Sequence, residues 1–143
     1  MHINFDKGEY DLAIKHFDKA IVLNSHYVKA YVNRGCAYDG KQAYERAIRD
    51  FDKAIKLCPS SQEAYNFRGK AYYGKENYHR AIRDYTKAIE LNPSYAQAYY
   101  NRGMAYTMLR NYDRARKDWK KAIALDPYGE AGGAAREALS TLK

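Results

Sequence analysis

Hydrophobic and polar positions along this chain alternate in two helical patterns. Tyr31, Gly35 and Tyr38 are separated by four and three residues, and Tyr44, Ala47, Phe51 and Ala54 by three, four and three. Each set therefore occupies one face of an α-helix. Charged residues such as Arg46, Arg49 and Lys53 fill the opposite face of the second helix. The pair then returns every 34 residues, carrying Gly35 to Gly69 and Gly103, Tyr38 to Tyr72 and Tyr106, Ala47 to Ala81 and Ala115, and Phe51 to Tyr85 and Trp119. Pro59, Pro93 and Pro127 close the rows, because a proline biases the residue before it out of the α region. A fixed period of this length predicts stacked helix pairs. First helices are expected at 28–40, 62–74 and 96–108, and second helices at 43–57, 77–91 and 111–125.

A glycine inside a helix costs about 1 kcal/mol relative to alanine, so its return at Gly35, Gly69 and Gly103 needs a compensating contact. Close approach of the second helix, through Ala47 and Phe51 in the first full row, supplies one. Upstream, Tyr10, Ala13, Phe17, Ala20, Ile21 and Leu23 match a second helix, while Met1 to Lys7 is too short for a whole first helix. The chain is thus expected to start inside a repeat. Downstream, Ala131, Ala135, Leu139 and Leu142 predict a capping helix over 130–143 whose first turn, holding Gly132 and Gly133, frays.

These columns resemble the tetratricopeptide repeat family, whose pattern asks for an early aromatic, Gly and Tyr in the first helix, then Ala, an aromatic, Ala and Pro in the second. The resemblance implies an all-α, right-handed α-α superhelix of antiparallel helix pairs. The 143 residues then form one domain: a partial repeat at 1–27, full repeats at 28–61, 62–95 and 96–129, and the cap at 130–143. It also implies a non-enzymatic scaffold that holds a peptide segment of a partner protein in a concave groove lined by the first helices. Carried over row by row, the groove positions are Lys29, Val32, Asn33, Cys36 and Asp39, then Glu63, Asn66, Phe67, Lys70 and Tyr73, then Gln97, Tyr100, Asn101, Met104 and Thr107. Asn33, Asn66 and Asn101 are the informative members, since an amide both donates and accepts and suits an extended backbone. Phe67, Tyr73, Tyr100 and Met104 suit apolar side chains. The opposing reading has Asn33 and Asn101 simply bonding neighbouring helices.

Family members that bind the C-terminal tails of the Hsp70 and Hsp90 chaperones resemble one another in a carboxylate clamp of Lys, Asn, Asn, Lys and Arg. Here those places hold Val32, Cys36, Phe67, Gln97 and Asn101, which argues against a chaperone-tail receptor.

The net charge of +8 opens an alternative: a basic accessory protein that contacts nucleic acid or an acidic partner through the convex second-helix face. Arg46, Arg49, Lys53 and Lys56, Arg80, Arg83 and Lys87, then Arg114, Arg116, Lys117, Lys120 and Lys121 supply the charge. Asp50, Asp84 and Asp118 answer part of it within each helix, so a solvated face is expected and nucleic acid is disfavoured. Arg34, Arg68 and Arg102 each precede one of these aspartates by 16 residues, and the incomplete first repeat lacks both, with His16 at the Asp place. The joint loss predicts partly buried Arg–Asp bridges between the two helices of a row. Arg46, one turn from Asp50, is the competing partner.

His2, His16, His26 and His79 share no repeat phase, and the glycines lie inside helices instead of a phosphate-cradling loop. Catalysis, metals and cofactors are therefore not expected. Cys36 and Cys58 show no ligand or disulfide spacing, and no segment reads as a signal peptide or membrane span, so a cytoplasmic protein is expected. The uncovered face of the first second-helix, with Ala13, Phe17 and Ile21, is expected to continue into a longer repeat array or to form a homodimer.

Overall fold

The computed structural model describes residues 6–142; Lys143 and Met1 to Phe5, most of the short stretch before the first expected helix, lie outside the described residues. Eight helices follow one another: α1 (Lys7–Leu23), α2 (Val28–Gly40), α3 (Tyr44–Leu57), α4 (Gln62–Gly74), α5 (Tyr78–Leu91), α6 (Ala96–Met108), α7 (Tyr112–Leu125) and α8 (Glu130–Thr141). The even-numbered helices before α8 are the first helices of the rows and sit at the expected residues. The second helices start one residue later than the spacing suggested, since 43, 77 and 111 are cap positions. Asn77 and Asn111 accept the Arg80 and Arg114 backbone N–H through their side chains, satisfying donors that have no partner within the helix.

Each row is a tightly nested pair. A Cβ built on Gly35, Gly69 or Gly103 would lie 2.6, 2.6 or 2.4 Å from the ring of Phe51, Tyr85 or Trp119. The bare glycine is the notch into which the second helix presses its aromatic, and Phe51, Tyr85 and Trp119 are buried there. Around them Ala47, Ala54, Ala81, Ala88, Ala115 and Ala122 are inaccessible to solvent, because small side chains let the helices close on one another.

Successive first helices touch: α2 contacts α4, α4 contacts α6, and α6 contacts α8. Among the described residues successive second helices do not. Helices that meet on one side and splay on the other make a curved stack, a solenoid with α2, α4, α6 and α8 along its inner side. Neighbouring rows also lock through aromatics. The Tyr10 ring fills the space where Gly40 has no Cβ, and Tyr44 does the same at Gly74. The third row has Met108 at this place, where no glycine notch remains, and Met108 is exposed.

One expectation is corrected at the C-terminus. Gly132 does not loosen α8: a Cβ there would come within 1.7 Å of the Asp126 carbonyl oxygen. The glycine lets the first turn of α8 lie directly on the end of α7, and Ala131 and Gly132 are buried. Gly133 faces open space.

Candidate functional site

The first helices bring ten of the fifteen expected groove residues to two depressions on the inner side. Between α2 and α4 a depression of about 440 Å³ is lined by Lys29, Val32, Asn33 and Phe67, with Val28, Ser61 and Glu63 beside them. Between α4 and α6 a smaller one of about 200 Å³ is lined by Lys70, Tyr73, Tyr100, Asn101 and Met104, closed at its base by Tyr85. Cys36, Asp39, Asn66, Gln97 and Thr107 line neither. Phe67 of the first depression is stacked on Phe51 at 6.1 Å between ring centroids and covered at 5.8 Å by the ammonium of Lys70, which lines the second. Val28, Ser61 and Tyr85 were not among the expected residues. Tyr85 is a second-helix residue whose ring passes through the Gly69 notch, and that notch was the signal that placed it.

Two of the three groove amides, Asn66 and Asn101, have partners inside the protein. Asn66 is 1% exposed and its Oδ1 accepts from Asn101 Nδ2 at 3.0 Å, while Asn101 Oδ1 accepts from Gln97 Nε2 at 3.1 Å. The relay runs from the wall of the groove to its floor and ties α4 to α6. Burial pushes the neighbouring Tyr95 phenol up to about 12, and also pushes the Cys36 thiol up to about 12. Cys36 is thus held as the thiol at neutral pH. Asp39, at the edge of the groove, is raised by burial with the attraction of Lys70 opposing, and its Oδ1 is buried without a hydrogen-bond partner.

The opposite side of the first helices carries the expected Arg–Asp bridges. Arg34 donates through Nε and Nη2 to Asp50 at 2.8 and 2.7 Å, Arg68 to Asp84 at 2.9 and 2.7 Å, and Arg102 to Asp118 at 2.8 and 2.7 Å. The fork is bidentate and the carboxylates are buried. The bonds to Asp50 raise the Arg34 guanidinium further above its ordinary value. Each arginine also uses Nη1 to reach the previous row, at Asp18, Asp52 or Thr86, a link that spacing had not indicated. Arg46 does not compete for Asp50. It lies over the Tyr38 ring at 5.7 Å, as Arg80 lies over Tyr72 at 4.4 Å and Arg114 over Tyr106 at 5.7 Å.

Tetratricopeptide-repeat models match residues 2–42, 28–61 and 68–130 of the chain. The chain belongs to the tetratricopeptide repeat family. A search of the curated proteins returns no significant match. Among solved structures, a MamA crystal structure is 28% identical with a TM-score of 0.77 over 98% of this chain and 86% of its own. The first TPR domain of Spaghetti (RPAP3), bound to the HSP90 peptide SRMEEVD, is 28% identical with a TM-score of 0.73 over 83% and 95%. The Arabidopsis OM64 TPR domain is 25% identical with a TM-score of 0.74 over 81% and 96%. Family and fold together support a protein-interaction scaffold. Among the described residues no helix is long and apolar enough to cross a membrane.

Proposed function

We propose that this tetratricopeptide repeat protein holds an extended segment of a partner protein along its inner groove and performs no chemistry on it. The observation that carries the reading is the pair of depressions joined by the Lys70–Phe67 contact, with the half-buried Tyr73, Tyr100 and Met104 around the second. Two shallow sites on one rigid surface suit two side chains of one extended chain, and a rigid floor avoids ordering costs on binding. The Asn66–Asn101 bond supports this as a brace: it fixes the spacing of α4 and α6 on which the second depression depends. Asn33, half-buried and with no hydrogen-bond partner among the described residues, is the floor amide left to meet a ligand backbone.

The RPAP3 domain, similar in fold, holds an HSP90 peptide. In this chain Val32, Phe67 and Gln97 stand at the clamp places and supply no cation, so the ligand we infer is apolar in character and not a chaperone tail. Selection of peptides from a random displayed library tests the idea, with affinities measured by fluorescence anisotropy. Tyr100→Ala combined with Met104→Ala should weaken the selected peptides at least about tenfold, the loss expected when two apolar contacts go. Peptides that bind parent and variant equally would place the binding surface elsewhere.

A further inference from the structure

The position that receives each arginine from the row before changes sign along the stack. Arg34 reaches back to Asp18 and Arg68 to Asp52, each at 2.9 Å, whereas Arg102 reaches the Thr86 hydroxyl at 3.2 Å. One period further on the residue is Lys120. Negative charge that accompanies the first two arginines is therefore missing at the third, and positive charge follows it.

The deficit coincides with a cavity. On the side of α6 opposite the groove, a depression of about 450 Å³ opens between α6 and α7. Arg102, Arg114, Lys117 and Lys121 line it against one carboxylate, Asp118, with Tyr99 and Tyr106 as walls. Both Asp118 oxygens are already taken by Arg102. Lys117 and Lys121 make no ion pair among the described residues, while Lys87, one row earlier, lies 4.0 Å from Glu90. The place of Glu90 is held by Ala124 in α7. The tyrosines position the cations without consuming their donors: Arg102 lies 5.6 Å from the Tyr99 centroid and 5.9 Å from that of Tyr106, which also carries Arg114.

We propose that this cavity binds an acidic peptide segment, whose clustered carboxylates meet Arg114, Lys117 and Lys121. Charge complementarity names the occupant, and its confinement narrows the class. Exposed Glu45, Asp52 and Glu90 on α3 and α5 interrupt the basic face over the earlier rows, so the positive field is one pocket and not the continuous track that a nucleic-acid backbone requires. The site is separate from the groove and stands or falls independently of it.

Fluorescein-labelled octaglutamate, titrated with the protein at about 50 mM salt to limit screening, is the probe. The parent chain should bind it saturably. Lys117→Glu with Lys121→Glu should weaken binding about tenfold or more, since two attractions become repulsions. Thr86→Asp restores the carboxylate found in the earlier rows, and it should weaken binding about threefold while Tm holds or rises, which separates lost binding from lost folding. The groove variant Tyr100→Ala with Met104→Ala should bind the probe as the parent does. Absence of saturable binding, equal affinity in the Lys117/Lys121 variant, loss in the groove variant, or displacement of the probe by an equimolar oligothymidylate would each overturn the proposal.

Discussion

At the C-terminal end of the stack, α7 lies between α6 and α8, and its Ala115, Trp119 and Ala122 are buried; at the N-terminal end, α1 packs on α2 alone among the described helices, and the equivalent Ala13, Phe17 and Ala20 stay partly open. The two helices carry the same pattern, yet one buries its aromatic completely and the other does not. Burial in this molecule therefore follows from how many helices flank a given one, as nearest-neighbour stacking requires. Charge divides by a different rule: Asp118, which pairs inside its own row, has a side chain 5% exposed, whereas Asp18 and Asp52, which bond an arginine of the next row, are 49% and 53% exposed.

Truncating the two aromatics gives the largest contrast. Trp119→Ala should cost about 3–5 kcal/mol, since it empties the Gly103 notch and removes the indole N–H donated to the Tyr100 carbonyl at 3.2 Å. Phe17→Ala should cost roughly half as much, because its ring still meets water. Urea unfolding followed by circular dichroism measures both, and equal losses would mean that the N-terminal helix is covered as fully as α7. The bridges rank next. Asp118→Ala leaves the Arg102 guanidinium without its buried partner and should cost about 3 kcal/mol, while Asp18→Ala, at an exposed bridge, should cost under about 1 kcal/mol. A loss at Asp18 matching that at Asp118 would make the bridge between rows as important as the one within a row.

Backbone strain should ignore position in the stack. Gln42, Glu76 and Arg110, the residues two before each second helix, have φ of 63°, 63° and 62°. Glycine tolerates this region where a side chain is disfavoured, so Gln42→Gly, Glu76→Gly and Arg110→Gly should each gain about 0.5–1 kcal/mol in the same unfolding assay. Gains that differ between the first and third rows would tie these turns to their neighbours after all.

What the letters revealed and concealed divides along the same line. Contacts inside a row recur with every period, so the helix pairs, the Gly35 notch and the Arg34–Asp50 bridge could be read as columns. Contacts between rows were harder. The Gly40–Tyr10 and Gly74–Tyr44 fits form a column that breaks at Met108, and the arginine link to the previous row passes through Asp18, Asp52 and Thr86, a column of mixed chemistry. Asn66 was read as a groove amide. Its burial depends on Asn101 standing opposite it 35 residues later, and the places one period earlier, Val32 and Phe67, offer no such pair. Gly132 was read by propensity alone, without the backbone of α7 that it meets.

The smallest effect concerns one column at two heights of the groove. Thr107 in the third row donates its hydroxyl to the Gly103 carbonyl at 3.0 Å, whereas Asp39 in the first leaves Oδ1 buried without a partner. Burial raises the Asp39 carboxyl above its ordinary value, with Lys70 pulling the other way. The folded chain thus holds this proton more tightly than the unfolded one. Asp39 weighs least on stability below the unfolded value of about pH 4, and its penalty grows as pH rises through the folded value. Asp39→Thr, which copies the third row and offers a hydroxyl to the Gly35 carbonyl, should raise Tm at pH 7, leave it nearly unchanged at about pH 3, and flatten the slope between them. If thermal melts across that range keep the parent slope in the variant, the buried charge of the first row is not what separates the two ends of this column.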